Sequence, residues 1–396
     1  MEAPETIKLY QQYVLGTYSP KLLMVKGQGA ELWDAAGRRY LDFTAGISVC
    51  NLGHCHPRVT EALQRQAARL VHVSNLYMNE LAPQLAAAII RHSFDGRVFF
   101  CNSGAEANEG LIKFARRWGN ARGGRHRIVC MNHSFHGRTL ATLAATDKPA
   151  IQQGFQPLPE GFAFVPFNDL AALDQAIDDQ TCAVLLEPVQ GEGGIHPAQA
   201  EYLAGVQELC AKHDLLLLFD EVQCGMGRTG KCFAHQHYGI EPDGMSLAKA
   251  LGNGFPLGAM VLARKHEAVL GPSSHATTFG GTALACAAGL AVFEAFDQED
   301  ILFNVQKVGQ HLQGALLRLA AKHPSVVKEV RGLGLMWGLE CHQPVAPRVA
   351  ACGAQGLLVL SAGDYVLRLL PPLIITPAQA DEAVAILDHA LGEKTP

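Results

Sequence analysis

The stretch Leu215-Leu216-Leu217-Leu218-Phe219-Asp220-Glu221-Val222-Gln223 decides the fold class. An apolar run without polar alternation describes a strand covered on both faces, the condition of a strand inside a mostly parallel sheet. The run is short for a helix and stops at a carboxylate. Working outward, similar runs recur at 97–101, 127–131, 182–186, 245–248 and 257–263, closed by polar or Gly-rich turns with helical patterns between them. This alternation predicts an α/β fold with a large domain, its mostly parallel sheet sandwiched by helices. Several runs end directly in polar residues, at the edge where an open α/β sheet builds its site.

The flanks read differently. Up to about residue 60 the chain is turn-rich, broken by Gly27, Gly29, Gly37, Gly46 and Gly53. Between Pro57 and Val73, the residues Val59, Leu63, Ala67 and Leu70 recur at helical spacing. After about residue 290, a long helical stretch over 284–321 leads into strand-like runs at 326–330, 335–340 and 357–360. Thr376-Pro377-Ala378-Gln379 then opens a last helix, with Thr as N-cap, Pro at N1 and Gln reaching back. The expected organisation is an N-terminal segment (1–60) packed with the small domain, a large site-bearing domain (61–290) and a small C-terminal α+β domain (291–396).

Composition excludes other classes. Hydrophobic residues make up 48% of the 396 and charged residues 17%, enough apolar surface to offset chain entropy. Lys plus Arg total 32 against 37 Asp plus Glu, so no basic excess marks a nucleic-acid binder. The 11 Cys include no CxxC pair and read as buried, reduced thiols. No apolar run is long enough to span a bilayer, and Met1-Glu2-Ala3-Pro4-Glu5 lacks the features of a secretory signal. The expectation is a soluble, cytoplasmic protein without nucleic-acid or membrane partners. Cys50, His54, Cys55 and His56 lack a second ligand pair, so no metal is expected. Gly332-x-Gly334 lacks the further glycine of a dinucleotide loop and reads as a tight turn.

Three segments carry chemistry. In Phe99-Phe100-Cys101-Asn102-Ser103-Gly104-Ala105-Glu106, a strand gives way to a helix, and Ser103, Gly104 and Ala105 sit where the first free amides point outward. Such amides bind phosphate, although the same residues also make an ordinary N-cap. Asp220 is delivered to the carboxyl edge of the sheet, where it can pair with a cationic ligand nitrogen, hold a metal or cap a turn. Lys249, in Ser246-Leu247-Ala248-Lys249-Ala250-Leu251-Gly252-Asn253-Gly254, lies between an apolar strand and a Gly-rich turn. Apolar surroundings disfavour an ammonium and leave a nucleophilic amine, while a surface lysine fits the same spacing. Together with the aromatic turn Phe135-His136-Gly137-Arg138-Thr139, these parts suit pyridoxal phosphate: a phosphate anchor, a ring partner, a counter-ion and a Schiff-base lysine.

The chain resembles the class III, ornithine-type family of pyridoxal-phosphate-dependent aminotransferases. The resemblance runs along the whole chain, through Leu41-Asp42-Phe43, Leu52-Gly53-His54, 102–109, 135–139, 187–194, 220–230, 249–258, 277–281 and 368–371. It implies the type I pyridoxal-phosphate transferase fold. It also implies that Ser103 and the Gly104 and Ala105 amides bind the cofactor phosphate, and that Phe135 stacks on the ring. Asp220 would keep the ring nitrogen protonated, Gln223 would touch the phenolic oxygen, and Glu221 and Val222 belong to the same cofactor-binding stretch. Lys249 would form the Schiff base and move the proton during catalysis. Thr278 resembles a residue that reaches the phosphate of a neighbouring subunit, which implies a homodimer with shared active sites. Thr277 would lie near substrate, and Arg138 and Arg368 would bind its carboxylates. Glu192 matches the residue that pairs with the proximal arginine.

Ornithine-specific relatives carry tyrosine where Ile47 stands, in Ala45-Gly46-Ile47-Ser48-Val49. Ile47 offers no hydrogen bond to a free α-amine, and Val366-Leu367-Arg368-Leu369-Leu370-Pro371-Pro372-Leu373 is most similar to the acetylornithine group. The implied reaction moves the δ-amine of N-acetylornithine to 2-oxoglutarate, in arginine synthesis. Succinylornithine, ornithine, succinyl-diaminopimelate and 4-aminobutyrate remain as alternative donors. A nucleotide-binding oxidoreductase is the competing class, with the 103–105 cup holding a pyrophosphate and Lys249 incidental.

Overall fold

The computed structural model describes residues 3–392. Seven strands form the central sheet: β1 (Gly96–Cys101), β2 (Arg127–Met131), β3 (Phe162–Val165), β4 (Thr181–Leu186), β5 (Leu216–Asp220), β6 (Gly244–Leu247) and β7 (Gly258–Ala263). Their spatial order is β1-β7-β6-β5-β4-β2-β3, and β7 alone runs antiparallel to its neighbours. Six of the seven coincide with the apolar runs read from the sequence. The seventh, β3, is a four-residue edge strand, mostly half-buried, and so lacks the continuous apolar signature of a covered strand.

Alternate residues of these strands enter two different cores, as the two-residue period of a strand requires. Ile128, Cys130, Ala183, Leu185, Leu216 and Leu218 pack with Leu111, Phe114, Ala115 and Trp118 of the helix Gly104–Asn120. Val129, Met131, Val184, Leu186, Leu217 and Phe219 pack on the opposite face with Tyr202, Leu203 and Val206 of the helix Ala200–Lys212. The parity has a consequence at the end of β5. Asp220 continues the Leu216–Leu218 side, toward the helix Gly104–Asn120, and Glu221 continues the other.

The N-terminal part holds more regular structure than its glycines suggest. A helix, Ala3–Tyr13, precedes strands Met24–Gln28, Glu31–Asp34 and Arg39–Asp42. Leu357–Leu358 joins this sheet, parallel to Arg39–Asp42, so the two ends of the chain meet there. The helix expected over 57–73 ends at Ala67. The expected single helix over 284–321 is two, Ala283–Gln298 and Ile301–Lys322, broken where Asp300 takes φ 51°. A second four-stranded sheet runs Val327–Leu333, Met336–Cys341, Val366–Leu369 and Leu360–Ala362. Its first hairpin turns at Gly334, φ 62°, as the Gly-x-Gly reading requires. The last helix, Pro377–Gly392, opens with the expected capping box: Gln379 N donates to Thr376 Oγ1 at 3.2 Å, and Thr376 N donates to Gln379 Oε1 at 3.0 Å.

Arg228 ties these parts together. Its fully buried guanidinium donates to Ser48 Oγ (3.0 Å), Asn51 Oδ1 (2.5 Å), Leu335 O (2.8 Å) and Pro371 O (2.6 Å). Burial pulls its pKa down to about 9, opposed by the charge of Asp42. Nine of the eleven cysteines are buried, Cys50 is half-buried, Cys55 is exposed, and all are free thiols. Among the described residues, no helix is long and apolar enough to cross a membrane.

Candidate active site

The parallel strands end on one edge, and a cavity of about 390 Å³ opens there. β1 delivers Asn102 and Ser103, the loop after β2 delivers Phe135, His136 and Arg138, β4 delivers Glu187, β5 delivers Asp220, and β6 delivers Lys249. Because β7 is antiparallel, the segment leading into it, 254–257, closes the same edge. Ser103, Gly104, Ala105, Phe135, Arg138, Asp220, Val222, Gln223 and Lys249 therefore all line one cavity.

Its floor is the N-terminus of the 17-residue helix Gly104–Asn120. Ser103 does cap the helix, its Oγ accepting from Glu106 N at 3.2 Å. Glu106 in turn accepts from Asn102 N at 2.7 Å. Gly104 and Ala105 amides, the first two of the helix, have no acceptor one turn back and are aligned with its positive dipole end.

Asp220 is held by a network that the sequence reading did not identify. Its Oδ2 accepts from Asn108 Nδ2 (2.7 Å) and His136 Nδ1 (2.8 Å), and its Oδ1 from Val222 N (2.9 Å). Asn108 also donates to His136 O at 2.8 Å. A usable signal existed, since Asn108 lies one helical turn beyond Gly104 and so shares its face. Glu187 is the third missed residue. It accepts from Gly191 N (3.1 Å) and Phe135 N (3.2 Å), and burial pushes its carboxyl up to about 7, with the His136 ring opposing.

Lys249 adopts φ 47°, a left-handed conformation that a side chain with a Cβ rarely takes. Burial pushes its ammonium pKa down, Glu192 opposes this, and Arg368 adds to it. The turn behind it is pinned by Asn253, which accepts from Leu52 N (2.8 Å) and donates to Gly53 O (3.1 Å).

Glu192 and Arg368 lie beside the cavity as an ion pair. Arg368 Nη1 contacts Glu192 Oε1 closely and donates to Gln223 Oε1 at 3.2 Å. Arg368 Nε is buried without a partner. Burial alone would raise the Glu192 carboxyl, but its attraction to Arg368 outweighs this and holds it below the ordinary range. Arg138 is exposed at the mouth, 5.7 Å from the centre of the Phe135 ring, and pairs with no carboxylate among the described residues.

Two groups of expected site residues lie apart from this cavity. Glu221 does not line the cavity: its buried carboxylate turns to the opposite face and accepts from Ala234 N (2.6 Å), His235 N (2.7 Å) and His235 Nδ1 (2.9 Å). The strand parity explains this. Thr277 and Thr278 line a separate cavity with Asn102, Glu106 and Phe279, so within one chain neither faces the Asp220 pocket. Ile47 belongs to a run at φ 46–65°, Ala45 to Ser48, that forms a left-handed turn and leaves it 39% exposed. Each non-glycine residue there costs about 1–2 kcal/mol.

Comparison with known proteins adds to this geometry. The aminotransferase class III family model matches residues 15–391. An acetylornithine aminotransferase of Caldanaerobacter subterraneus subsp. tengcongensis is 49% identical, covering 97% of this chain and 98% of that protein. The solved N-acetylornithine aminotransferase of Stenotrophomonas maltophilia superposes with TM-score 0.83 at 37% identity, over 97% of this chain and 98% of that one. An ornithine aminotransferase of Toxoplasma gondii superposes with TM-score 0.94 at 31% identity, over 98% of this chain and 94% of that one.

Proposed function

We propose that this chain, which belongs to the class III aminotransferases, moves the δ-amino group of N-acetylornithine to 2-oxoglutarate, giving N-acetylglutamate 5-semialdehyde and glutamate. The observation that carries the reading is the convergence of Lys249, Asp220 and the 103–105 helix start on one cavity. The acetylated donor rests on the sequence relatives and on Ile47, because the backbone superposes at least as well on an ornithine enzyme.

Enzymes of this family are pyridoxal-phosphate-dependent, and the residues fit that cofactor. A dianionic phosphate matches the unpaired amides of Gly104 and Ala105. The buried Asp220 carboxylate would hold a cationic ring nitrogen, and Phe135 and Val222 supply apolar walls. Bound there, the cofactor supplies an aldehyde to carry the amino group and a ring to accept the electrons released at the substrate carbon. Asp220 would keep a proton on the ring nitrogen, and Asn108 and His136 keep Asp220 in place. Gln223 uses its Oε1 on Arg368, leaving Nε2 to donate to the phenolic oxygen. Lys249 Nζ, with its charge disfavoured by burial, would be the amine that holds the cofactor and the base that takes the proton from the substrate carbon.

Two different substrates must use this site in turn. An acylornithine presents a distal amine with its carboxylate remote, whereas glutamate presents an α-amine with a carboxylate beside it. Glu192 neutralises Arg368 for the first and swings away for the second, with Arg138 holding the outer carboxylate in both. The unpartnered Nε of Arg368 supports a carboxylate-binding role. A second copy of the chain completes the site through Thr278. Leu76 (86% exposed), Tyr77 (72%), Met78 (99%) and Phe279 (60%) form an apolar surface beside the Thr278 cavity that suits such a partner. A cytoplasmic location belongs to the same proposal and fits the eleven free thiols.

The test is chemical trapping with a donor panel. Purified holoenzyme should be labelled on Lys249 after borohydride reduction and should rank N-acetylornithine first by kcat/KM with 2-oxoglutarate. Lys249→Ala should remove multiple turnover. Sustained turnover by that variant refutes the assignment, and a higher rank for ornithine or 4-aminobutyrate refutes the donor.

A further inference from the structure

The switch just described leaves a question that the structure addresses: what receives the Glu192 carboxylate once Arg368 is taken. Lys148 lies on the far side of Glu192, on the segment that follows the helix Leu140–Ala144. Its Nζ donates to the Glu192 backbone oxygen at 3.2 Å and stands 3.8 Å from Glu192 Oε2. It also lies 5.5 Å from the centre of the Phe135 ring, so it sits against the cavity wall. The Glu192 carboxylate is thus flanked by two cations, with one oxygen on each side.

We propose that Lys148 is a positioning residue that takes over the Glu192 carboxylate while a dicarboxylate substrate occupies Arg368. The inference rests on the switch reading above. Charge matching supports it. The cations around the cavity mouth are Arg138, Lys148 and Arg368, and Glu192 is the carboxylate that reaches two of them. An acylornithine brings one carboxylate, which goes to Arg138, while Glu192 stays on Arg368 with Lys148 close by. Glutamate or 2-oxoglutarate brings two, for Arg138 and Arg368, and Glu192 moves onto Lys148. Every carboxylate then has a cation in both arrangements. Without Lys148, the second arrangement strands Glu192 in a site only 23% exposed, which disfavours its charge. The movement is small, because Lys148 already holds the backbone of Glu192 and its Nζ is nearly within hydrogen-bonding reach of the side chain.

The experiment compares wild-type holoenzyme with Lys148→Met, Lys148→Arg, Glu192→Gln and the Met/Gln double variant. The two half-reactions are followed separately by stopped flow, and glutarate, an unreactive dicarboxylate, is titrated calorimetrically. Lys148→Met should lower kcat/KM for 2-oxoglutarate about tenfold, mostly through KM, and weaken glutarate binding by a similar factor. The acylornithine half-reaction should change less than about twofold on the same scale. Lys148→Arg should restore the loss, and Lys148→Met should add nothing in the Glu192→Gln background. Equal losses in both half-reactions, or an additive loss in that background, show a loop-holding role and overturn the proposal. A Glu192→Gln variant that is itself unselective between the half-reactions refutes the switch. Selective Glu192→Gln with unselective Lys148→Met refutes the Lys148 assignment alone.

Discussion

Replacing Asp220 by Asn tests the centre of the site, because the structure states what the amide cannot do. The carboxylate accepts three hydrogen bonds, at 2.7, 2.8 and 2.9 Å, and is almost wholly buried. An Asn with its carbonyl toward Asn108 and His136 keeps two of them but turns its NH2 against the Val222 N–H. One buried donor then has no acceptor, at roughly 1–3 kcal/mol. The two retained bonds lose charge assistance, at about 1 kcal/mol each. The expected destabilisation is therefore roughly 3–5 kcal/mol on the same scale, read as a lower midpoint in thermal unfolding of the apoenzyme. Catalysis should suffer separately, because a neutral amide cannot hold a cationic ring nitrogen. Loss of one charge-assisted bond predicts a fall in kcat of roughly 10–100-fold, with expression and circular dichroism retained. The assays are calorimetry of the apoenzyme, cofactor titration, and kcat with saturating donor. A variant with wild-type kcat refutes the counter-ion role of Asp220, and unchanged thermal stability refutes the three-bond network.

Other predictions follow from neighbouring residues. The Glu187 carboxyl titrates near 7 in the fold instead of its ordinary 4.5, so between these values the native state retains a proton that the unfolded chain releases. Stability then falls as pH rises through that window, and Glu187→Gln should abolish this slope; equal midpoint-versus-pH slopes from pH 5 to 8 in the two proteins would contradict it. Ile47→Tyr should raise the ornithine-to-acetylornithine ratio of kcat/KM about tenfold by offering a hydrogen bond to the free α-amine, and an unchanged ratio removes Ile47 as a specificity position. Its folding should not suffer, since a β-branched residue is the worse occupant of φ 65°. Sedimentation should show a dimer, and Tyr77→Asp with Met78→Glu should yield an inactive monomer of unchanged helicity; a fully active monomer rules out shared sites.

How far the site was legible in the sequence depends on the kind of interaction. Covered strands announce themselves as unbroken apolar runs, so six strands of the central sheet and the polar residues at their ends could be located. β3 escaped because an edge strand needs no such run. Asn108 and His136 escaped for a different reason: their contacts with Asp220 exist only when the helix start, the loop after β2 and the end of β5 meet. Glu221 shows the converse case. Adjacency to Asp220 put it with the cofactor group, although successive residues leaving a strand face opposite ways, and the pleat sends it to His235. Parity along 216–221 was enough to separate the two.

Substrate choice lies at a finer level than any of this. The chain superposes on an ornithine enzyme with TM-score 0.94 and on an N-acetylornithine enzyme with 0.83, so backbone likeness does not rank the donors. What differs between an acylated and a free α-amine is one charge and its hydrogen bonds, worth about 1.5–3 kcal/mol, which a single side chain can supply or withhold. The left-handed turn at 45–48 has the attributes of such a control point. It is strained, it is held from beneath by Ser48 Oγ on Arg228, and it projects Ile47 outward instead of into the core. A position that needed only to pack would relax to a right-handed turn. Under the proposed function, the strain here, next to a cavity whose other polar residues would serve chemistry common to both donors, makes this turn the position at which donor discrimination is to be tested.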